Sequence, residues 1–238
     1  MTKRRDITKT YTNESPIATE LRRMYHNTKR KPNGDPVKTF LVTSSDRREG
    51  KSTIASHFAL TIAQYPRKKV LMVDSDMRRP TVYKLFGLEN EGGLMECLSG
   101  YADPLQVIKN TDLDNLHVIT AGGRTESPAT LFESESLSEF FKKITFYYDV
   151  IIVDSAPVLA VSDTLFLCPE VDSVLFVVLA GITPRKVALR AREILGDSGA
   201  EIAGMVVNNA LQVLPYYYDY KYYGYAEDPK KSSTEKRD

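Results

Sequence analysis

The chain has 238 residues, with a hydrophobic content of 42% and a charged content of 26%, an ordinary composition for a globular protein that buries a full α/β core. The formal net charge of +1 provides no global field for nucleic acid, and we expect no nucleic-acid partner. Cys97 and Cys168 are the two cysteines. They are too few and too far apart for a disulfide framework or a metal cluster, and Cys168, in an apolar stretch, is expected to be buried.

The first 36 residues are polar and basic, and they lack the apolar run of a signal peptide. Ser15 as N-cap and Pro16 at the first helical position predict a helix from Pro16 to about Lys29. A turn is expected at Asn33-Gly34-Asp35-Pro36. Residues 1–36 are therefore interpreted as an N-terminal arm. The sequence contains no run of about 18 apolar residues, the length expected for a membrane span.

A strand–helix alternation begins at about residue 37. Short runs rich in β-branched residues predict strands at Thr39–Thr43, Val70–Val73, Leu116–Thr120, Val150–Val153, Val174–Val178 and Ile202–Val207. Helices are predicted between them at Ser52–Gln64, Ala129–Ile144, Ser162–Leu167 and Pro184–Leu195. Buried strands alternating with helices predict an α/β domain over residues 37–211, with a mostly parallel sheet and helices on both faces.

The clearest local motif lies between the first strand and the first helix of this domain. The segment Ser45–Thr53 ends in Gly50-Lys51-Ser52, and this strand–loop–helix setting is that of a phosphate-binding P-loop. Backbone N–H groups would face the anion, Lys51 would reach the β- and γ-phosphates, and the Ser52 hydroxyl would bind Mg²⁺. Ser45 replaces the usual first glycine, so an ordinary strand–turn–helix remains an alternative for this motif alone.

Acidic residues follow two other buried strands. Asp74 and Asp76 come after Val70–Val73, and Asp154 comes after Val150–Val153. The carboxyl ends of parallel strands meet at one edge of the sheet, where ligands bind. Three carboxylates gathered beside the P-loop would repel one another, and a bound Mg²⁺ would neutralise them.

These segments, in this order, resemble the Walker A, Walker A′ and Walker B motifs of the bacterial tyrosine kinases of capsule and exopolysaccharide systems. The matching segments are Ser45–Thr53, Val70–Arg78 and Ile151–Pro157, with further matches at Arg79-Pro80-Thr81, Gly93-Leu94, Leu98-Ser99-Gly100, Ser127-Pro128-Ala129 and Leu131. The resemblance covers about residues 15–225. It implies a P-loop NTPase fold and an ATP- and Mg²⁺-dependent protein-tyrosine autokinase that regulates polysaccharide synthesis and export.

The resemblance also assigns roles to the residues of the motifs. Lys51 would stabilise charge on the transferred phosphoryl group, and Asp74 would orient or deprotonate the incoming tyrosine. Ser52, Asp76 and Asp154 would hold Mg²⁺. The catalytic set is thus Lys51, Asp74, Asp76 and Asp154. The nucleotide contacts are expected from Ser45, Arg48, Glu49, Gly50, Lys51, Ser52, Thr53 and Asn208. Arg78 is expected to act in activation or in phosphate contact.

The C-terminal tail, residues 212–238, is predicted to be disordered. It packs seven tyrosines into ten positions, namely Tyr216, Tyr217, Tyr218, Tyr220, Tyr222, Tyr223 and Tyr225. By the resemblance these are the autophosphorylation sites, modified in trans. An aromatic patch that contacts a partner is the alternative. Each phosphate would add about −1.5 to −2 charges, which we expect to release the tail from a neighbouring subunit.

The N-terminal helix carries a second family motif, Glu-x-x-Arg-x-x-Arg, which joins subunits. Its spacing falls on Glu20, Arg23 and His26, so a homo-oligomer is expected, with a ring as one form. Histidine replaces the last arginine, which would make the contact weaker or sensitive to pH. A solvated charged helix is the alternative. The other implied partners are a transmembrane activator on a separate polypeptide and a cognate tyrosine phosphatase, so the protein is expected in the cytoplasm, peripheral at the inner face of the membrane.

The P-loop also departs from the family, which usually has Pro-Gly where this chain has Arg47-Arg48. Glycine supplies freedom at positive φ there, so we expect ATP binding to persist and the catalytic rate to be affected. This departure keeps open a regulatory ATP-binding subunit without kinase activity. A MinD/ParA-like ATPase is a further alternative. Those proteins carry an extra lysine where this chain has Asp46, and they lack a tyrosine tail.

Overall fold

The computed structural model describes residues 6–123, 125 and 127–210. Within this part of the chain, seven strands form one sheet in the order β3-β4-β2-β5-β1-β6-β7. The strands are β1 (Thr39–Ser44), β2 (Val70–Asp74), β3 (Lys109–Asn110), β4 (Leu116–Ile119), β5 (Val150–Asp154), β6 (Ser173–Leu179) and β7 (Ile202–Asn208). Every neighbouring pair is parallel except β3 and β4. The six predicted strands and the mostly parallel sheet are confirmed.

The helices of the described residues surround this sheet. They are α1 (Pro16–Thr28), α2 (Lys51–Ala63), α3 (Val82–Leu85), α4 (Leu94–Leu98), α5 (Pro128–Phe132), α6 (Glu135–Tyr147), α7 (Asp163–Leu167) and α8 (Arg185–Asp197), with short 3₁₀ helices at Ile7–Lys9 and Cys168–Glu170. Among these residues, no helix has both the length and the apolar character needed to span a membrane.

The core lies in two layers because side chains alternate between the faces of each strand. In β1, Phe40 and Val42 pack with the apolar residues of α1 and α2, whereas Leu41 packs on the opposite face with α6 and α8. All three side chains are fully buried. Helices therefore cover both faces of the sheet, as the strand–helix alternation predicts. Cys168 is buried and unpaired, as expected.

The helix predicted over Ala129–Ile144 is wrong as a single element, because the chain breaks at Ser134. The Ser134 backbone is extended, with φ −78° and ψ 154°, and its hydroxyl donates a hydrogen bond to the Leu131 carbonyl at 2.6 Å. Serine competes for backbone groups in this way and favours helix ends. The first helix therefore ends at Phe132 and α6 begins at Glu135.

Helix α1 begins as predicted and belongs to the same core as the sheet. The Ser15 hydroxyl accepts a hydrogen bond from the Ala18 N–H at 3.3 Å, which caps the first turn. The Tyr25 ring is buried and meets the rings of Phe40 and Phe58 edge-on, with centroids 6.4 and 6.0 Å apart. One face of α1 is thus fixed against β1 and α2, and the opposite face remains at the surface.

The strand order places the carboxyl ends of three parallel strands side by side. Strand β5 lies between β2 and β1, and these strands end at Asp154, Asp74 and Ser44. Asp74 and Asp154 are directly paired in the β2–β5 register. The P-loop follows β1, so the phosphate-binding motif and both acidic segments meet at one edge of the sheet.

Candidate active site

The P-loop backbone takes the left-handed conformation at two positions. Arg48 has φ 64° and Gly50 has φ 92°. Position 50 also lacks room for a side chain, since a Cβ there would lie 2.1 Å from the Asn208 amide nitrogen. Gly50 precedes α2 and makes no side-chain cap, so the first N–H groups of this 13-residue helix remain available to an anion.

Arg48 occupies the position at which glycine freedom was expected to matter. Its positive φ confirms that expectation about the backbone. A non-glycine residue in this region costs about 1 kcal/mol. The loop thus keeps the shape of a phosphate-binding turn with an arginine in place of glycine, and the side chain projects into solvent.

Glu49 holds the P-loop against residues at the ends of β6 and β7. Its carboxylate is buried, accepts the Asp46 N–H at 2.9 Å and also accepts the Thr183 hydroxyl. The Glu49 carbonyl accepts the Asn208 amide at 3.0 Å. Because Thr183 follows β6 and Asn208 ends β7, two contacts fix the P-loop to this side of the sheet, and the Asp46 contact closes the loop on itself.

Lys51 lies among the acidic residues at the strand ends. Its Nζ is 3.0 Å from an oxygen of Asp76 and 4.0 Å from an oxygen of Asp154, and it donates to the Ser52 hydroxyl at 3.3 Å. Burial lowers the pKa of Lys51, but Asp154 and Asp76 raise it more, so its pKa is above the ordinary value. Lys51 is therefore a fixed positive charge between the P-loop and the two carboxylates.

Asp154 is fully buried, and within the described part of the chain neither of its carboxylate oxygens has a hydrogen-bond partner. Burial raises its pKa to about 6, although Lys51 and the nearby Ser52 hydroxyl act in the opposite direction. A buried carboxylate that accepts no hydrogen bond is costly, and the Lys51 ammonium at 4.0 Å offsets this cost only in part. Together with Ser52 and Asp76, Asp154 supplies the hard oxygen ligands that a divalent cation such as Mg²⁺ prefers.

This ligand set is small. Among the described residues, no group of three or more His, Cys, Asp or Glu side chains is placed to hold a metal ion. Mg²⁺ commonly binds through one or two carboxylates and completes its shell with water and phosphate oxygens. Two carboxylates and a hydroxyl beside a P-loop fit that pattern.

Asp74 differs from Asp154 although the two are paired across the strands. One Asp74 oxygen accepts the Asp76 N–H at 3.1 Å, and the other accepts the N–H groups of Thr81 and Val82, each at 3.0 Å. Burial and the nearby Asp154 charge raise its pKa to about 8 despite these bonds. Asp74 thus holds the loop that follows β2 and lies beneath the surface of the site.

Comparison with known proteins places this geometry in a family. The AAA domain family model matches residues 48–183. Tyrosine-protein kinase YwqD of Bacillus subtilis is 34% identical over 188 residues, which cover 79% of this chain and 78% of YwqD. CpsD of Streptococcus pneumoniae, also a tyrosine-protein kinase, is 30% identical over 192 residues, or 80% and 84% of the two chains. The chain belongs to the bacterial tyrosine-protein kinase family.

Solved structures agree with this placement. The crystal structure of the chimerical protein CapA2B2 superposes with a TM-score of 0.79 at 29% identity and covers 83% of this chain and 87% of that chain. MinD of Pyrococcus horikoshii, solved with Mg-ADP, gives a TM-score of 0.61 at 19% identity, covering 71% and 69%. The MinD likeness shows the fold alone, so this family member has a P-loop nucleotide-binding fold and a kinase-family sequence.

An open cleft of about 260 Å³ lies above the strand ends of this tyrosine-kinase family member. The P-loop side of its wall includes Gly50, Lys51, Ser52 and Thr53, and the β2 side includes Asp76. Of the three predicted carboxylates, Asp76 alone is part of this wall, within the residues that the structure describes. The predicted roles of these residues in catalysis remain predictions.

The sequence prediction missed a partner of Arg78. The Arg78 guanidinium donates to both oxygens of Asp163, at 2.7 and 3.1 Å, and Asp163 is buried at the start of α7. This contact ties the loop after β2 to the start of α7. No sequence pattern indicates it, because Asp163 looks like a common first-turn acid of a helix.

The remaining predicted site residues have separate positions. Ser45 is buried, and its hydroxyl has no hydrogen-bond partner in the described part of the chain. On α1, Glu20 and Arg23 form an ion pair at 2.6 Å, and Arg23 and His26 are exposed. The tyrosines predicted as phosphorylation sites, Tyr216–Tyr225, lie outside the described residues.

Proposed function

We propose that the protein is a protein-tyrosine kinase that uses ATP and Mg²⁺ and phosphorylates the tyrosine cluster of its own C-terminal tail. The observation that carries this proposal is Asp154, a fully buried carboxylate without a hydrogen-bond partner among the described residues, directly beneath a P-loop lysine. Lys51 offsets this buried charge only in part, so the arrangement suits a divalent cation, which would neutralise charge on a bound phosphate. Family membership supplies the tyrosine specificity.

The P-loop accounts for phosphate binding. The N-terminal N–H groups of α2 and the Lys51 ammonium would contact the β- and γ-phosphates. Ser52, Asp76 and Asp154 would hold Mg²⁺, which would neutralise charge on the phosphates. Glu49 and Asn208 keep the loop against β6 and β7, so the donors are in place before the nucleotide binds.

The transfer step is a displacement at the γ-phosphorus. The tyrosine oxygen forms the new O–P bond, the bond between the γ-phosphorus and the β–γ bridging oxygen breaks, and ADP leaves. The phenol proton moves to a carboxylate. Asp76, which lines the cleft, is suited to accept it while Ser52 and Asp154 hold Mg²⁺. Lys51 stabilises the charge that develops on the transferred group. Asp74 was expected in this role, but its buried oxygens hold backbone N–H groups, which suits a role in shaping the loop.

The acceptors proposed are the seven tail tyrosines, from Tyr216 to Tyr225. We propose that they are phosphorylated in trans within a homo-oligomer formed through Glu20, Arg23 and His26, which share the surface face of α1. A transmembrane activator would recruit the kinase to the inner face of the membrane, and a cognate phosphatase would reverse the modification. The chimeric CapA2B2 structure supports the activator, and the homo-oligomer and the phosphatase are proposed from the family resemblance alone.

The cellular role proposed is regulation of capsular or exopolysaccharide synthesis and export. The negative charge that phosphorylation adds to the tail offers a mechanism for this regulation. Full phosphorylation of seven tyrosines would add about −10 to −14 charges at neutral pH to a chain of formal net charge +1. Such a change would separate tails from neighbouring subunits and alter the assembly of the export machinery.

The test uses the full-length protein with ATP and Mg²⁺, with and without the cytoplasmic segment of a candidate activator. Phosphotyrosine is mapped by mass spectrometry in the unchanged protein and in Lys51→Met. Lys186→Met is the matched control, since Lys186 is exposed on α8 away from the cleft wall. We expect phosphate on Tyr216–Tyr225 in the unchanged protein and in the control, and none in Lys51→Met.

A second outcome would favour the alternative function. ATP that binds without any phosphotyrosine, even with the activator, would indicate a regulatory nucleotide-binding subunit. The observation on the side of that alternative is Arg48, whose left-handed backbone stands in the P-loop where the family usually has glycine.

A further inference from the structure

Three arginines stand at the mouth of the nucleotide cleft and are left over by the proposed chemistry. Arg47 and Arg48 come from the P-loop and Arg79 from the loop after β2; all three are exposed and line the cleft. We call them the arginine rim. Two separate loops therefore present guanidinium groups at the entrance through which a tyrosine must approach.

Within the part of the chain that the structure describes, the rim has no charge partner. Among the described residues, no carboxylate forms an ion pair with Arg47, Arg48 or Arg79. Arg78 differs from the three rim arginines, because its guanidinium donates two hydrogen bonds to the Asp163 carboxylate. The nearest acid in sequence, Asp46, accepts the backbone N–H of Arg47 at 2.7 Å and offsets one charge in part.

The other acidic groups of the site are already engaged. Asp76 and Asp154 face Lys51 at 3.0 and 4.0 Å, and the Glu49 carboxylate holds the Asp46 N–H and the Thr183 hydroxyl. The rim therefore presents net positive charge toward solvent at the cleft entrance. Guanidinium groups bind phosphate through paired hydrogen bonds, and a dianion between two of them is held more strongly than a neutral phenol.

We propose that the arginine rim is a subsite for a phosphotyrosine close to the acceptor tyrosine, so that a tail already carrying phosphate is the preferred substrate. The inference rests on the proposed kinase function and adds the substrate class of the same cleft. The tail sequence supplies such a ligand: successive tyrosines between Tyr216 and Tyr225 are one or two positions apart. Two residues of extended chain span roughly 7 Å, so a first phosphate always lies close to the next acceptor.

Phosphorylation of the cluster then becomes self-reinforcing. The first phosphoryl transfer to a tail is slow because no phosphotyrosine is bound at the arginine rim. Each later transfer is faster because a phosphotyrosine of the same tail binds the rim. This ordering converts a row of equivalent tyrosines into a switch between unmodified and heavily modified tails.

The test uses full-length protein and two fluorescent peptides covering residues 214–225. In both peptides Tyr222 is kept as acceptor and the other tyrosines are replaced with phenylalanine, except that the second carries phosphotyrosine at position 220. We expect kcat/KM to be about tenfold higher for the phosphorylated peptide. In the double variant Arg47→Gln with Arg79→Gln, this ratio should fall to near one. The matched control is Arg190→Gln with Arg192→Gln, which removes two charges from α8 and should keep the tenfold ratio.

Three measurements make the result decisive. Equal kcat/KM for both peptides in the unchanged protein would overturn the proposal. A double variant that binds a fluorescent ATP analogue more weakly but keeps the peptide ratio would also overturn it, because the rim would then serve the nucleotide. If neither peptide is phosphorylated, the kinase function itself fails. Fluorescence anisotropy with ADP-loaded protein then still decides the subsite: tighter binding of the phosphopeptide that the double variant loses supports it, and equal binding of both peptides refutes it.

Discussion

Strands β2 and β5 both end in an aspartate, at the same level of the sheet, yet the two carboxylates have different surroundings. Asp74 and Asp154 are paired in register and fully buried. Asp74 accepts three backbone N–H groups from its own loop, whereas Asp154 has no hydrogen-bond partner among the described residues. Sheet position alone therefore does not decide what a carboxylate does. The loop that follows each strand decides: one acid anchors its loop, and the other is left without a hydrogen bond.

The comparison predicts its largest effect for Asp154→Asn. Loss of the carboxylate that we propose binds the cation should reduce tyrosine phosphorylation by at least about 100-fold, since the charge that would hold the cation is worth several kcal/mol and each 1.36 kcal/mol is tenfold in rate. The fold should not suffer. Removing a buried charge whose pKa is raised to about 6 should stabilise the protein at pH 8 by about 2 kcal/mol. Phosphotyrosine quantification and urea unfolding measure the two effects.

Asp114→Asn is the control for this variant, because Asp114 is exposed and distant in sequence from both acidic segments. It should change neither quantity. A clear loss of stability in Asp154→Asn would contradict the interpretation of Asp154 as an unsatisfied group, and full kinase activity would remove it from the metal site.

Asp74→Asn should show the opposite pattern. An amide accepts through one oxygen only, so at least one buried N–H among those of Asp76, Thr81 and Val82 would face an NH₂ group. An unsatisfied buried donor costs about 1–3 kcal/mol. At pH 4 the raised pKa of about 8 keeps Asp74 protonated in the folded protein, so the substitution removes no charge there and we expect the free energy of unfolding to fall by about 2 kcal/mol. Kinase activity at neutral pH should fall less than in Asp154→Asn. Thermal and urea unfolding at pH 4 test this, and equal stability of the two variants would erase the contrast between the strand ends.

How much of this contrast was predictable from sequence depends on which interactions are local. Runs such as Val70–Val73 and Val150–Val153 predicted buried strands to within a residue or two, and the aspartates that follow them were predicted to meet at one sheet edge. The two aspartates do lie together in the structure, because β5 is next to β2 in the sheet. These are properties of periodicity and of strand direction, which a sequence carries directly.

The rest depends on how loops fold back, which no short pattern encodes. Asp74 is satisfied only because the chain returns at Thr81 and Val82 to begin the four-residue helix α3, which is too short for a detectable period. The contacts of Arg78 with Asp163 and of Glu49 with Thr183 join residues far apart in sequence. The break between α5 and α6 at Ser134 was not predicted, because a serine inside an amphipathic run does not by itself indicate the end of a helix. Only the hydrogen bond from its hydroxyl to the Leu131 carbonyl identifies the break.

A pH series sharpens the comparison further. Burial raises the pKa of Asp154 from 3.8 to about 6, so between these values the folded protein binds a proton that the unfolded chain has lost. Stability contributed by this group is therefore lost as the pH rises through that window, by up to about 1.4 kcal/mol per pH unit. The difference in free energy of unfolding between Asp154→Asn and the unchanged protein should grow from about pH 4 to pH 6 and then level off. A difference that is constant from pH 4 to pH 9 would contradict the assignment.

Glu49 extends the comparison to the end of β1, with the smallest effect. Its buried carboxylate is satisfied by the Asp46 N–H and the Thr183 hydroxyl, so Glu49 should behave like Asp74 rather than Asp154. Glutamine can keep one of these bonds and reverse the other, so Glu49→Gln should cost about 1 kcal/mol of stability and weaken ATP binding a few-fold by loosening the P-loop.

The matching change on the other side of the contact is Thr183→Val, and the double variant completes a cycle. If Glu49 acts through Thr183, the two effects on ATP affinity should be non-additive by about 0.5–1 kcal/mol, measured with a fluorescent ATP analogue. Strict additivity would mean that the P-loop is held by the Asn208 contact and by its own backbone. The satisfied acid at β1 would then be dispensable, and the anchoring role found at β2 would not be general among the strand ends of this sheet.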